Sequence, residues 1–215
     1  MKAHRPTPIS LDEQLKVFKS LGYDFADGVT QEMIFREVNE INWDSDITAK
    51  DFLEQEPFSW LYFFYGHFDP ALEGNFYSSQ CIWYDLEFFD PAQTAYGTFM
   101  YRMGLITHGE IAFTDIKVHL DDANWEWISF KVNGIAKRWK LEKRGYIADH
   151  YIQRFAYLPT EFNTKGRYTY YDNGGQQFVL DYATEEEQNS FIQKTGLRRE
   201  WLDKGDFFSE PPVEP

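Results

Sequence analysis

Apolar side chains recur three and four residues apart through the first third of the chain, and in alternate positions through much of the remainder. Ser10-Leu11-Asp12-Glu13 is a capping box, and Leu11, Leu15, Phe18 and Leu21 follow at helical spacing until Gly22 ends the run. Thr30 opens a second predicted helix, with Met33, Ile34, Val38 and Ile41 on one face and Glu32, Arg36, Glu37 and Glu40 mostly on the other. Thr48 caps a third through Glu54. Pro57 then admits a further turn or two of FSWLYFFYG, whose apolar residues surround the axis and therefore demand burial.

The period changes near Phe76. SSQCIWYDLEFFD is aromatic and mixed, and residues 94–106, with Met100 and Met103, read as a helix. Strict alternation across 111–120 sets Ile111, Phe113, Asp115, Lys117 and His119 on one strand face, with Ala112, Thr114, Ile116, Val118 and Leu120 on the other. Residues 125–132 and 136–141 flank Asn133-Gly134, a strong hairpin signal. Asp149 caps a helix predicted to run through Leu158 and stop at Pro159. Two β-prone runs, RYTYY and QFVLDY, flank DNGG as a second hairpin, and Thr184-Glu185-Glu186-Glu187 opens a helix that Gly196 terminates. The pattern predicts an α+β fold in one domain over 1–202. Its acidic helical part, about 9–66, packs on a mainly antiparallel, sheet-rich part, about 76–202, with two or three further helices. The acidic, Pro-rich residues 203–215 read as a mobile tail.

Composition narrows the class. Of 215 residues, 43% are hydrophobic and 19% aromatic, far from the make-up of a disordered chain. No apolar run approaches a membrane span and no secretory signal opens the chain, so a cytoplasmic protein is expected. A single cysteine, Cys81, excludes an internal disulfide framework. The formal charge of −14 is unevenly spread. Residues 1–90 carry 17 acidic and 6 basic side chains, whereas 91–202 carry 14 of each. Nucleic acid is thereby disfavoured as a partner, and a cationic protein surface is favoured.

Chemical motifs are sparse. His4, His67, His108, His119 and His150 form no metal-ligand spacing, and P-loop, GxSxG and dinucleotide-binding signatures are absent, so neither metal nor cofactor is expected. Gly174-Gly175-Gln176 matches the tripeptide of peptide-chain release factors. Its β-prone flanks make it a hairpin tip, and the chain's negative charge would repel it from ribosomal phosphates. Asp85 with Glu87, and Asp121 with Asp122, are pairs that chance supplies among 35 carboxylates. The basic run KRWKLEKR reads as the solvated face of a strand. The region 42–77 surrounds Trp43, Phe52, Phe58, Trp60, Phe68 and Phe76 with acids. Trp43, Asp44, Asp46, Asp51, Glu54, Glu56, Asp69 and Glu73 are accordingly the candidate partner-binding residues, aromatic anchors joined to charges that steer a basic partner.

WISFKVNGIAKRWKLEKRGYIADHYIQRF and RYTYYDNGGQQFVLDYATEEEQNSFIQKTGL together resemble the C-terminal half of bacterial immunity proteins that accompany polymorphic or contact-dependent toxins. The likeness covers roughly 125–200 and lies in scaffold motifs: a VNG hairpin, a helix opened by an acid, a GGQ turn and a Thr-Glu-Glu helix closed by TGL. It implies a non-enzymatic, monomeric or weakly dimeric protein that binds a cognate toxin domain, commonly a nuclease, one to one. Two rival readings remain. One is an enzyme whose site, with His67, Asp69 and Cys81 as candidates, is assembled only in the fold; the other is a small-ligand binder with an aromatic pocket.

Overall fold

The computed structural model describes residues 7–41, 46–68, 76–85, 92–120, 125–142, 149–172 and 177–202. It is an α+β protein with two antiparallel sheets. The helical N-terminal layer comprises α1 (Leu11–Ser20), α2 (Gln31–Ile41), α3 (Ala49–Gln55) and α4 (Ser59–Tyr65). Ser10 and Thr48 cap α1 and α3 as the sequence predicts. Buried Gln14 ties the layer together, its amide donating to the carbonyls of Ile9 and Leu53 and accepting from the Phe58 N–H at 2.8 Å. That contact helps hold Phe58 at φ 68°, the turn from which α4 starts. Leu61 to Tyr65 are all buried, as an all-round apolar helix requires, each contributing roughly 1.5–3 kcal/mol.

A four-stranded sheet, in the order β1 (Cys81–Asp85), β6 (Gln177–Ala183), β5 (Arg167–Asp172), β7 (Glu200–Trp201), lies under that layer. Its pleat divides two cores. Cys81, Tyr171 and Val179 point towards the N-terminal helices and towards Phe191 of α8 (Glu185–Thr195), whereas Ile82, Tyr84, Tyr168, Leu180 and Tyr182 point the other way. The second core is closed by α5 (Ala92–Leu105), α6 (Asp149–Phe155), the short α7 (Leu158–Glu161), and a three-stranded sheet of β2 (Phe113–Leu120), β3 (Trp125–Val132) and β4 (Ile135–Glu142). Central β6 is covered on both faces, which is why QFVLDY reads as nearly continuous apolar sequence.

Gly66 sets how closely the two halves approach. Its carbonyl accepts from the Trp83 N–H at 3.0 Å and from Arg102 Nη2 at 2.7 Å, and a Cβ there would lie 2.1 Å from the Trp83 nitrogen. Arg102 is buried over the Phe76 ring at 4.2 Å, and burial pushes its guanidinium down to about 10.

The strands form two antiparallel sheets, with β7 at the edge of the first. Two expectations need correction. Strict alternation fails in β2 because the register shifts between Thr114 and Lys117, with Asp115 at φ 54°. The bulge returns Ile116 and Val118 to the core side that Ile111 and Phe113 occupy, leaving Thr114, Lys117 and His119 exposed. Pro159 does not stop the α6 helix. That helix ends at Phe155, and Pro159 sits in the first turn of α7, where its missing N–H costs nothing. By contrast the Asn133-Gly134 turn forms with φ of 48° and 84°, and Gly196 ends α8 at φ 72°. β5 and β6 pair antiparallel from Asp172↔Phe178 inward, while the GGQ residues that join them, and the 203–215 tail, lie outside the described residues. No helix among the described residues is long and apolar enough to cross a membrane.

Candidate functional site

Two regions emerge. One is the outer surface of the helical layer. Over residues 7–41 and 46–68 it holds 11 acidic and 4 basic side chains. Ion pairs engage Asp24 with Lys19, Glu37 with Arg36, and Glu54 with Lys50. Asp12, Glu13, Asp27, Glu32, Glu40, Asp51 and Glu56 are exposed and have no cation within ion-pair distance among the described residues. Glu32 lies in the first turn of α2, where backbone and Thr30 hydrogen bonds hold its carboxyl below the usual range.

The predicted partner-binding residues fall unevenly here. Asp46 precedes α3 and is exposed, Asp51 faces solvent from its first turn while accepting from the Thr48 hydroxyl, and Glu56 is exposed at its end. Glu54 has a different task, because its carboxylate accepts from the Leu11 N–H at 3.0 Å and so caps α1. Half-buried Phe52 and Trp60, rings 5.5 Å apart, supply an aromatic patch between Asp51 and Glu56 in sequence and α4. Phe58 is a core residue. Trp43, Asp44, Asp69 and Glu73 lie outside the described residues.

Of the enzyme candidates within the described residues, Cys81 and His67 have packing roles. Cys81 is fully buried with Sγ 3.9 Å from the Tyr62 carbonyl, and burial, aided by the charge of Asp181, drives its thiol upward, away from the reactive thiolate. His67 packs between the Tyr77 and Trp83 rings, 3.8 Å from Glu37. Asp85 accepts from Gln177, and His119 bonds Ser129 at 2.8 Å. No cluster of metal-ligating side chains occurs among the described residues. In the basic run, Trp139 and Leu141 enter the core, Arg138 lies 4.1 Å over the Trp127 ring, and Lys137 pairs with Glu161.

The second region is a cavity of about 340 Å³. Its walls are the end of α1 and the turn after it (Ser20 to Tyr23), Gln80, His108, β6 (Asp181 to Ala183), α8 (Glu187, Ser190, Phe191) and Arg199. At its base Asp181 Oδ2 receives three donors: Arg199 Nη1 at 2.6 Å, the Tyr62 hydroxyl at 2.7 Å, and the Tyr23 hydroxyl. Arg199 Nη1 also donates to Tyr23 at 2.7 Å, its Nε to Gln188, and its guanidinium lies 4.0 Å over Phe191. Four distant segments are thus joined. Gly22, at φ 88°, turns the chain so that Tyr23 enters the core; Tyr62 comes from α4, Asp181 from β6, and Arg199 from the stretch after Gly196. Burial first, then the charge of Asp181, raises both tyrosines, which stay neutral donors.

The sequence reading missed this cluster. A carboxylate inside QFVLDY was the available signal, because a buried acid requires partners. No family model, curated protein or solved structure matches the chain.

Proposed function

We propose that the protein is an immunity protein, which neutralises a cognate bacterial toxin domain by binding it through the acidic surface of its helical layer. The observation that carries the reading is the segregation of charge: seven exposed, cation-free carboxylates spread over α1, α2, α3 and their connections, beside the Phe52–Trp60 patch. Like charges gathered on one layer repel one another, so the arrangement costs stability unless a cationic partner uses it. A nuclease cleft is shaped to receive phosphates and equally receives carboxylates, while half-buried aromatics anchor the contact. The resemblance over roughly 125–200 points the same way.

The test is calorimetric titration of the full chain with a purified, catalytically inactivated toxin domain encoded beside its gene. One-to-one binding that weakens as salt rises is expected, and Asp51→Lys with Glu56→Lys should weaken it about tenfold without changing the circular dichroism spectrum. Absence of binding at low salt, or binding indifferent to both salt and charge reversal, overturns the proposal.

A further inference from the structure

We infer that the cavity above Asp181 and Arg199 is a binding site for a small oxyanion, a carboxylate or phosphate group, held by the uncommitted side of the Arg199 guanidinium. Arginine carries five N–H donors in a fixed plane. In Arg199, Nε is taken by Gln188, and Nη1 by Asp181 and the two tyrosine hydroxyls. Nη2 has no acceptor among the described residues and is not sealed from solvent space, although the side chain is only 2% exposed. Arg199 lines the cavity, which gives these two donors of a buried cation a space where an acceptor can sit.

The guanidinium is also pre-oriented. Asp181 and Gln188 fix it in its plane and Phe191 covers a face, so a ligand meets a fork whose rotamer freedom is already lost. Polar groups suited to an oxyanion and its attached body surround the space: the hydroxyls of Ser20 and Ser190, the amide of Gln80, and the imidazole of His108. The two acids in the wall compete weakly. Oδ2 of Asp181 is saturated by three donors, and Glu187 accepts from the Thr184 N–H and hydroxyl at 2.8 Å as the α8 cap. The volume lies at the small end of ligand pockets, which favours a metabolite over a peptide. The site stands on different residues from the acidic surface and does not depend on the immunity reading.

The experiment follows the arginine side-chain signals of the ¹⁵N-labelled full chain by NMR, during titration with acetate and, separately, inorganic phosphate, at constant ionic strength set by chloride. Saturable shifts of the Arg199 signals, together with a saturable rise in melting temperature, are expected for at least one anion. The stronger of the two arms identifies the headgroup. Ser190→Trp fills the cavity from α8 without touching the Asp181 network, and should weaken binding more than tenfold while leaving the urea midpoint nearly unchanged. Shifts that grow linearly with either anion, or that persist equally in Ser190→Trp, overturn the inference, because the open side of Arg199 is then simply hydrated.

Discussion

Replacing Asp181 by leucine tests whether the buried cluster holds the helical layer to the sheet. The substitution places an apolar side chain on β6 but removes the acceptor of three side-chain donors at once, and strands a guanidinium whose side chain is 2% exposed. Breaking a buried pair by deleting one charge costs about 3–5 kcal/mol, against roughly 5–15 kcal/mol for the whole of a typical domain. For a chain of this size that corresponds to a drop of roughly 6–20 °C in melting temperature. Tyr62→Phe removes a single bond to a charged acceptor and leaves Arg199 paired, so about 1.5–3 kcal/mol is expected.

The decisive comparison is the double variant Asp181→Leu with Arg199→Met. Removing both charges abolishes the uncompensated cation and leaves the Tyr23 and Tyr62 hydroxyls and the Gln188 amide oxygen to be satisfied. The double variant should therefore cost less than the sum of the two single changes by at least about 2 kcal/mol. Urea unfolding followed by far-ultraviolet circular dichroism, extrapolated to water, measures all four corners of the cycle. A loss under about 1 kcal/mol for Asp181→Leu, or a coupling under roughly 0.5 kcal/mol, would refute the reasoning and make the cluster an incidental contact.

Three further predictions rest on separate features. Gly66→Ala drives a Cβ into the Trp83 backbone and should destabilise by about 1–3 kcal/mol in a thermal melt, whereas Gly97→Ala in α5, with no neighbour closer than 3.8 Å, should be neutral or gain roughly 0.5–1 kcal/mol. Cys81 should resist an aromatic disulfide reagent in the native protein and react once denaturant is added; rapid native reaction would contradict its burial. Tyr23, Tyr62, Tyr151 and Tyr168 are all raised, chiefly by burial. Their unfolded forms lose protons near pH 10 while the folded forms keep them, so their contribution is full below pH 10 and disappears as pH climbs above it. Tyrosinate absorbance from these four should appear together with alkaline unfolding and not before it.

How far the sequence discloses this molecule depends on how local each determinant is. Ser10, Thr48 and Thr184 each satisfy an N–H within three residues, and Asn133-Gly134 and Gly196 supply their own left-handed turns, so these boundaries are legible in a short window. The β2 bulge is less so. Asp115 is an ordinary strand residue in a pattern count, yet it takes a positive φ inside the break in the β2–β3 ladder, where Lys131 meets its carboxylate at 2.7 Å. Glu54 resembles every other acid of the N-terminal part until the fold brings the Leu11 N–H to it, 43 residues away. The cavity is the extreme case: Tyr23 and Arg199 are 176 positions apart, and neither residue type announces the other. Asp181 alone carried a warning, a charge placed where β6 is covered on both faces. That same two-sided burial keeps the two proposed sites apart. Exposed carboxylates collect on the outer helices, whereas beside β6 a buried carboxylate is met by an arginine at the wall of a cavity. The first arrangement favours a broad protein contact and the second a small ligand, so charge reversal at Glu56 and filling at Ser190 should act independently of one another.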